Sequence, residues 1–363
     1  MLVTGCYSFK QSGKVPSWNP PTDYHLKNTR ISAKQFVVVQ RYAPILMQRT
    51  HADTRINFLT DYRFDGDDNT ANNYEHLYFE GKDAFKLPAI LYYALVETKT
   101  HYFITYMSYH AYDEVQSGWT LIFHWTRMGG SHENDAENIQ LVIQKSTRTE
   151  KERLVLIANQ NHTRYEFCAV PELLDSKSKF LKWPGYRTFD PDIINDRITF
   201  YLESGKHAIY QHRFYKANSR TLRFYPLPDN KPQYWSKNQT SFAYQLKPIR
   251  TELWTPYIAN KHLGQAGAMN GTFNIALKRN NNVIVNYTNL PRHFNSDKIS
   301  ICLVKKNSGI MPFYFGKGNL FFDPAYHYRK SLKSSLDEED WSTAYIYNPY
   351  IDITKFNADI NVE

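Results

Sequence analysis

What most limits the fold of this chain is a succession of short runs rich in Val, Ile, Tyr and Phe, separated by turn residues and almost free of helical spacing. "QFVVVQRY" (35–42) opens the series, and "AILYYALVETKTHYFITYMSYH" (89–110) reads as two strands joined by a short turn near Glu97 to Thr100. "WTLIFHWT" (119–126), "NIQLVIQK" (138–145), "RLVLIAN" (153–159), "RITFYLE" (197–203), "NVIVNYT" (282–288) and "KISICLVK" (298–305) continue it. Helical spacing is confined to "VPELLDSKSKFL" (170–181) and "SLKSSLDEEDW" (331–341). Strands without interleaved helices argue against a parallel α/β sheet. The expected fold is all-β: a two-layer antiparallel β-sandwich with long loops and a few short helices.

The 363 residues divide into a polar leader (1–30), a β-sandwich (31–250) and a β-rich C-terminal extension (251–363), which either stands apart or completes the same sandwich. The leader contains "LVTGC", which has the form of a bacterial lipoprotein cleavage site before Cys6. It lacks the basic and apolar stretches such a signal needs upstream. Either the window is coincidental, or Cys6 is the mature N-terminus of an envelope-anchored protein. No apolar span reaches ~20 residues, so no transmembrane helix is expected. Three widely spaced cysteines fit neither a disulfide framework nor a zinc site.

A net charge of +9 favours anionic partners. The densest basic cluster, "KSKFLKW" from Lys177, has only three Lys, and no nucleic-acid-reading motif is present, so specific nucleic-acid binding is not expected. With 28 Tyr, 22 Phe and 7 Trp, the chain has both sheet-forming side chains and flat surfaces on which sugars or headgroups can stack. The GxSxG, HExxH and Walker A signatures are missing, which leaves enzymatic activity open and leaning against.

The residues with most chemical potential lie in "SHENDAE", where His132, Asp135 and Glu137 are spaced H-x-x-D-x-E ahead of an apolar run. In an extended segment Asp135 and Glu137 share a face. His132, placed in the turn just before, can fold back toward it. Two carboxylates and an imidazole repel or compete unless a cation or proton intervenes. The set suits one divalent cation: Mg²⁺, Ca²⁺ or Mn²⁺ by its oxygens, with Zn²⁺ admitted by the imidazole. The other reading is a wet strand entry that binds nothing. "DGDDN" (65–69) opens like a calcium loop but lacks the Gly at position six, and its twelfth residue is His76 rather than Glu, which favours an acidic turn. His207, in "SGKHAIY", is by itself a structural histidine.

The "HENDAE" segment resembles the heptapeptide GHRHDWE of necrosis- and ethylene-inducing-like proteins at its His, Asp and Glu. "RYAPILMQR", "RFDGDDNTANNYEH" and "ESGKHAIYQHRF" are similar to segments of the related Vps62-like group. The likeness runs from about Arg41 to Tyr210. It implies a secreted β-sandwich of toxin or cytolysin type, with a divalent cation held by His132, Asp135, Glu137 and an upstream acid, for which Asp113 is the best match. It also implies that His207, Asp67 and Asn73 line the same pocket, and that the partners are anionic lipid or glycan headgroups at a membrane surface. Glu133, Asn134 and Ala136 depart from the heptapeptide, so the roles of those three family positions do not carry over. A metal-dependent hydrolase acting on phosphodiester or glycan, and an adhesive or structural lipoprotein, remain as alternatives.

Overall fold

The computed structural model describes residues 30–50, 53–67, 73–78, 85–113, 132–161, 164–182, 185–212, 220–254, 272–279, 282–291, 320, 323–350 and 353. The strands expected at 119–126 and 298–305, together with Cys6, Cys302 and the leader before Arg30, lie outside them.

The protein is all-β, but its main body is one twelve-stranded sheet rather than two antiparallel layers. The strands are β1 Ile45–Arg49, β2 Ile90–Thr98, β3 His101–Asp113, β4 His132–Gln144, β5 Arg153–Asn161, β6 Arg164–Ala169 and β7 Ile193–Ile194. They continue as β8 Arg197–Leu202, β9 Ile209–Tyr210, β10 Thr221–Pro226, β11 Ser241–Pro248 and, near the C-terminus, β14 Tyr345–Tyr347. The spatial order is β6-β5-β4-β3-β2-β11-β10-β1-β8-β7, with β14 paired to β2 and β9 to β8. Strands β2 to β6 form an antiparallel meander, the β2–β3 turn being the two residues Lys99 and Thr100. The pairs β1–β8, β10–β11 and β11–β2 are parallel. These parallel pairs correct the antiparallel expectation, because short strand runs predict strands but not which distant run each will join. A separate antiparallel hairpin joins β12 Thr272–Arg279 to β13 Asn282–Pro291.

The long sheet curls until its β8–β9 side meets β5. Asn159 Nδ2 on β5 donates to the Ile209 carbonyl at 2.6 Å, and Gln211 Nε2 donates to Asn159 Oδ1 at 2.6 Å, all of it buried. Both sheet faces are covered, and β2 shows this by alternation. Leu91, Tyr93 and Leu95 join a core inside the curl with Phe58, Phe200, Phe224 and Tyr244. Tyr92, Ala94 and Val96 join a core on the other face, roofed by Tyr328 and Trp341 from the C-terminal segment. A strand buried on both sides reads as a continuous apolar run, as "AILYYALV" does.

The "VVV" run expected as a strand is instead helix α1 Ala33–Tyr42. Ser32 and Gln35 form a reciprocal capping box that satisfies two N-terminal donors, and this outweighs the strand preference of the three valines. At the other end Arg197 Nη1 donates to the carbonyls of Gln40, Arg41 and Ala43, each at 3.0 Å, closing a helix end that would otherwise leave acceptors unmet. Helices α2 Asn73–Tyr78 and α3 Pro324–Arg329 are single short pieces. The helical expectation at 170–181 reduces to two 3₁₀ turns, Pro171–Leu173 and Lys179–Lys182. That at 331–341 reduces to turns following α3.

Two outcomes follow from this packing. Phe58 is fully buried, edge-on to Phe224 at 5.2 Å and to Phe242 at 4.9 Å. Phe58→Ala should cost about 3–5 kcal/mol in urea unfolding. His101 opens β3 buried against Trp341, with ring centroids 4.1 Å apart. Burial, reinforced by the Lys145 charge, lowers its pKa to about 3. The folded form therefore resists a proton that the unfolded chain takes up near pH 6.5, so stability is lost as pH falls from about 6.5 toward 3. His101→Gln should flatten that slope by about 1.4 kcal/mol per pH unit in melts at stepped pH.

Candidate functional site

Three acids flagged by the sequence sit on neighbouring strands and are buried: Asp113 is 7% exposed, Asp135 4% and Glu137 4%. Strand β4 begins at His132 itself, not after it, so position 132 is in the ladder rather than in a preceding turn. The β3–β4 register sets His110 opposite Asp135, Ser108 opposite Glu137 and Asp113 opposite His132. Residues directly opposite in an antiparallel pair share a face, so His110, Asp135 and Glu137 lie on one side. Alternation assigns positions 113 and 132 to the other side at the strand ends. The Asp113 charge nevertheless reaches Glu137.

Closure of the sheet brings in His207. It lies just before β9 with φ of +54°, a backbone conformation uncommon for non-glycine residues, in a turn held where Gly205 N donates to Asn57 Oδ1 at 2.6 Å. Its Nδ1 is 2.8 Å from Asp135 Oδ2. The two side chains form one hydrogen-bonded pair inside the closed sheet. The His110 ring stacks on His207 with centroids 3.7 Å apart and planes 6° from parallel. Both imidazoles are fully buried.

The electrostatics are those of a desolvated acid cluster. Burial holds the Glu137 carboxyl far above the usual range, and the charges of Asp135 and Asp113 push it further up. Burial, with His207 adding to it, holds His110 far below the usual imidazole range and therefore neutral. Among the described residues, Glu137 Oε2 and His207 Nε2 are buried without a hydrogen-bond partner. Leaving such atoms unmet costs about 1–3 kcal/mol each, which a ligand or ion can recover.

Asp67 and Asn73 lie on the acidic loop and on α2. Asn73, fully buried on α2, donates through Nδ2 to the Tyr62 carbonyl at 3.1 Å and to Tyr109 Oη at 2.6 Å, tying the acidic loop to β3 beside His110. Asp67 joins Asp65 and His76, whose Nδ1 lies 2.6 Å from Asp65 Oδ2. The twelfth position of the calcium-like loop thus folds back onto the first. Among the described residues, these three side chains alone bring ligand atoms within 4.8 Å of one another as a group. No three of His110, Asp113, Asp135, Glu137 and His207 do so as they stand.

No protein-family model and no curated protein matches the chain. Solved structures do. "NLPPya in complex with glucosamine" matches at 13% identity over 68% of this chain and 87% of that one, with a TM-score of 0.30. Necrosis and Ethylene inducing Protein 2, from the causal agent of cocoa's Witches Broom disease, matches at 12% identity over 62% and 81%, TM-score 0.30. The non-toxic HaNLP3 protein matches at 12% identity over 62% and 79%, TM-score 0.27. The likeness is to necrosis- and ethylene-inducing proteins. The H-x-x-D-x-E motif resembles the heptapeptide of the same family.

Sequence reasoning missed His110. Its only signal was an imidazole inside the apolar run "TYMSYHAYD", and its meaning depends on a register that no local pattern states. Glu137 yields a direct test. With its folded pKa raised above the unfolded value, metal-free protein should lose stability as pH rises above about 4.5, by about 1.4 kcal/mol per pH unit until the folded pKa is passed. Glu137→Gln in EDTA should abolish that slope and be the more stable protein at pH 8.

Proposed function

We propose that the chain binds anionic lipid or glycan headgroups through one divalent cation, acting outside the cell or on its envelope in the manner of a toxin. The cation would sit on Asp135 and Glu137, with His207 at the edge of the set; Asp113 and His132, which alternation assigns to the other face at the strand ends, would complete it by turning round the end of the ladder. The observation that carries this reading is the buried cluster of Asp113, Asp135 and Glu137. Among the described residues, the groups that shift Glu137 are burial and the negative charges of Asp135 and Asp113, with no Lys or Arg. A cation supplies the compensation that the protein's own side chains do not. The donor set fits: carboxylate oxygens suit a hard ion such as Mg²⁺, Ca²⁺ or Mn²⁺, and Glu137 Oε2 and His207 Nε2 are buried atoms ready to turn toward one. Drawing the carboxylates together around the ion removes the repulsion that separates them without it.

A bound cation with a coordination position left over bridges protein carboxylates to the anionic oxygens of a headgroup, while the positive net charge raises the local concentration of such ligands. Among the described residues no helix is long and apolar enough to cross a membrane.

The test is a thermal melt after EDTA treatment, then with Mg²⁺, Ca²⁺, Mn²⁺ or Zn²⁺ added. A bound ion should stabilise the fold by about 2.7 kcal/mol at a hundredfold excess over its dissociation constant. Asp135→Ala and Glu137→Ala should each abolish the gain, whereas Asp65→Asn, in the separate loop cluster, should keep it. Vesicles bearing anionic headgroups and immobilised acidic glycans should be bound with the ion and released by EDTA. No metal-dependent shift, together with no metal by elemental analysis, overturns the reading.

A further inference from the structure

The acidic loop ahead of α2 carries a second set of ligand-bearing side chains, apart from the buried acids of β3 and β4. Asp65, Asp67 and His76 bring two carboxylate oxygens and a ring nitrogen within 4.8 Å of one another. The set is graded from inside to outside. The Asp65 side chain is fully buried, that of His76 is 17% exposed, and Asp67 lies at the surface. An ion can therefore enter from the Asp67 side, and the space beside Gly66, between the two acids, is open.

Packing holds the three groups in place. Gly66 has φ of +91°, a turn that lets both Asp65 and Asp67 reach His76. Asp67 N donates to Asp65 Oδ1 at 3.2 Å, while Asp65 Oδ2 lies 2.6 Å from His76 Nδ1. The His76 ring stacks on Phe85 with centroids 5.0 Å apart, and Phe85 stands edge-on to Phe64 at 6.2 Å, so the imidazole plane is set by its neighbours. Burial raises the Asp65 pKa against the hydrogen bond from His76, and the Asp67 charge adds to the rise. A cation between the two acids relieves that repulsion.

The sequence supplies an independent pointer. Asp65 and Asp67 stand at the first and third positions of a calcium-type loop, and His76 at the twelfth, where such a loop carries the bidentate Glu that closes round the ion. The fold keeps this closure of first position on twelfth, with an imidazole in place of the carboxylate. The exchange changes the ion. Calcium takes about six to eight oxygens, whereas an imidazole with two carboxylates suits a tetrahedral ion with one open position.

We propose that Asp65, Asp67 and His76 bind one Zn²⁺ that clamps the acidic loop to α2. The ion enters between Asp65 and His76 and takes over their direct hydrogen bond. Asn73, on the same helix, donates to Tyr109 Oη, so the clamp also fixes the loop against β3. With three protein ligands, one of them exposed, this is the weaker of the two sites, filled only above the metal concentration that saturates the acid cluster.

The experiment is equilibrium dialysis of the full chain to saturation with ZnCl₂ and, separately, CaCl₂, counting bound metal per chain. A protein carrying Asp135→Asn and Glu137→Gln, which removes the cluster's charges, should still bind one Zn²⁺, and Ca²⁺ about tenfold more weakly or not at all. Adding Asp65→Asn or His76→Gln should weaken that zinc by about tenfold or more. His76→Glu, which restores the closing carboxylate of a calcium loop, should lower Zn²⁺ affinity and raise Ca²⁺ affinity, a gain that misfolding does not give. If the cluster variant does not fold, the changes at 65 and 76 in the otherwise unaltered chain decide, each removing one zinc. The inference is overturned if no zinc depends on Asp65 and His76, if calcium binds there as well as zinc, or if His76→Glu leaves both affinities as they were. Should the acid cluster hold no cation, one zinc remains that is lost with His76 and indifferent to Asp135 and Glu137, so the two readings fail separately.

Discussion

Closure of one long sheet on itself is the constraint on which the rest depends. A sheet buried on both faces has two edges to dispose of, and here the β8–β9 edge is laid against β5 by the paired bonds of Asn159 with Ile209 and Gln211. These bonds are internal and fully desolvated, so losing one leaves two polar groups stranded rather than solvated. The closure also delivers His207 to Asp135 across 72 positions of sequence. The candidate site is therefore a product of the curl, not of any one strand.

The protein treats its buried acids in two ways. Asp61, on the loop before α2, accepts from Tyr92 Oη at 2.8 Å and pairs with Lys247 Nζ at 2.5 Å, so its charge is met from two strands. Among the described residues no such cationic partner acts on Glu137, which is burdened by Asp135 and Asp113 instead. A buried charge met by its own side chains is structural, whereas one left to burial and like charge invites something from outside. This contrast within a single sheet is why the acid cluster, and not Asp61, carries the functional reading.

Aromatic content serves the fold first. Tyr106, Tyr244 and Tyr328 are fully buried, and each spends its hydroxyl inside: Tyr106 on the Val39 carbonyl, Tyr244 on the Pro44 carbonyl and Tyr328 on Gln140. Large apolar rings with one polar tip let a wide sheet be covered on both faces without stranding acceptors.

Local pattern in the sequence determined that the chain is β-rich, where the β2–β3 hairpin turns, and which acids in "SHENDAE" share a side, because side-chain alternation is a property of the strand alone. It misjudged "VVV", where a four-residue capping box outweighed β-branching, and it placed His132 in a turn that the ladder extends through. Tertiary structure alone decided the parallel joins of β1, β10 and β11, the stacking of His110 on His207, and the return of His76 onto Asp65. The physical reason is range. Propensity and alternation act over a few residues, whereas register and closure are fixed only when distant strands compete for the same edge and the same buried volume.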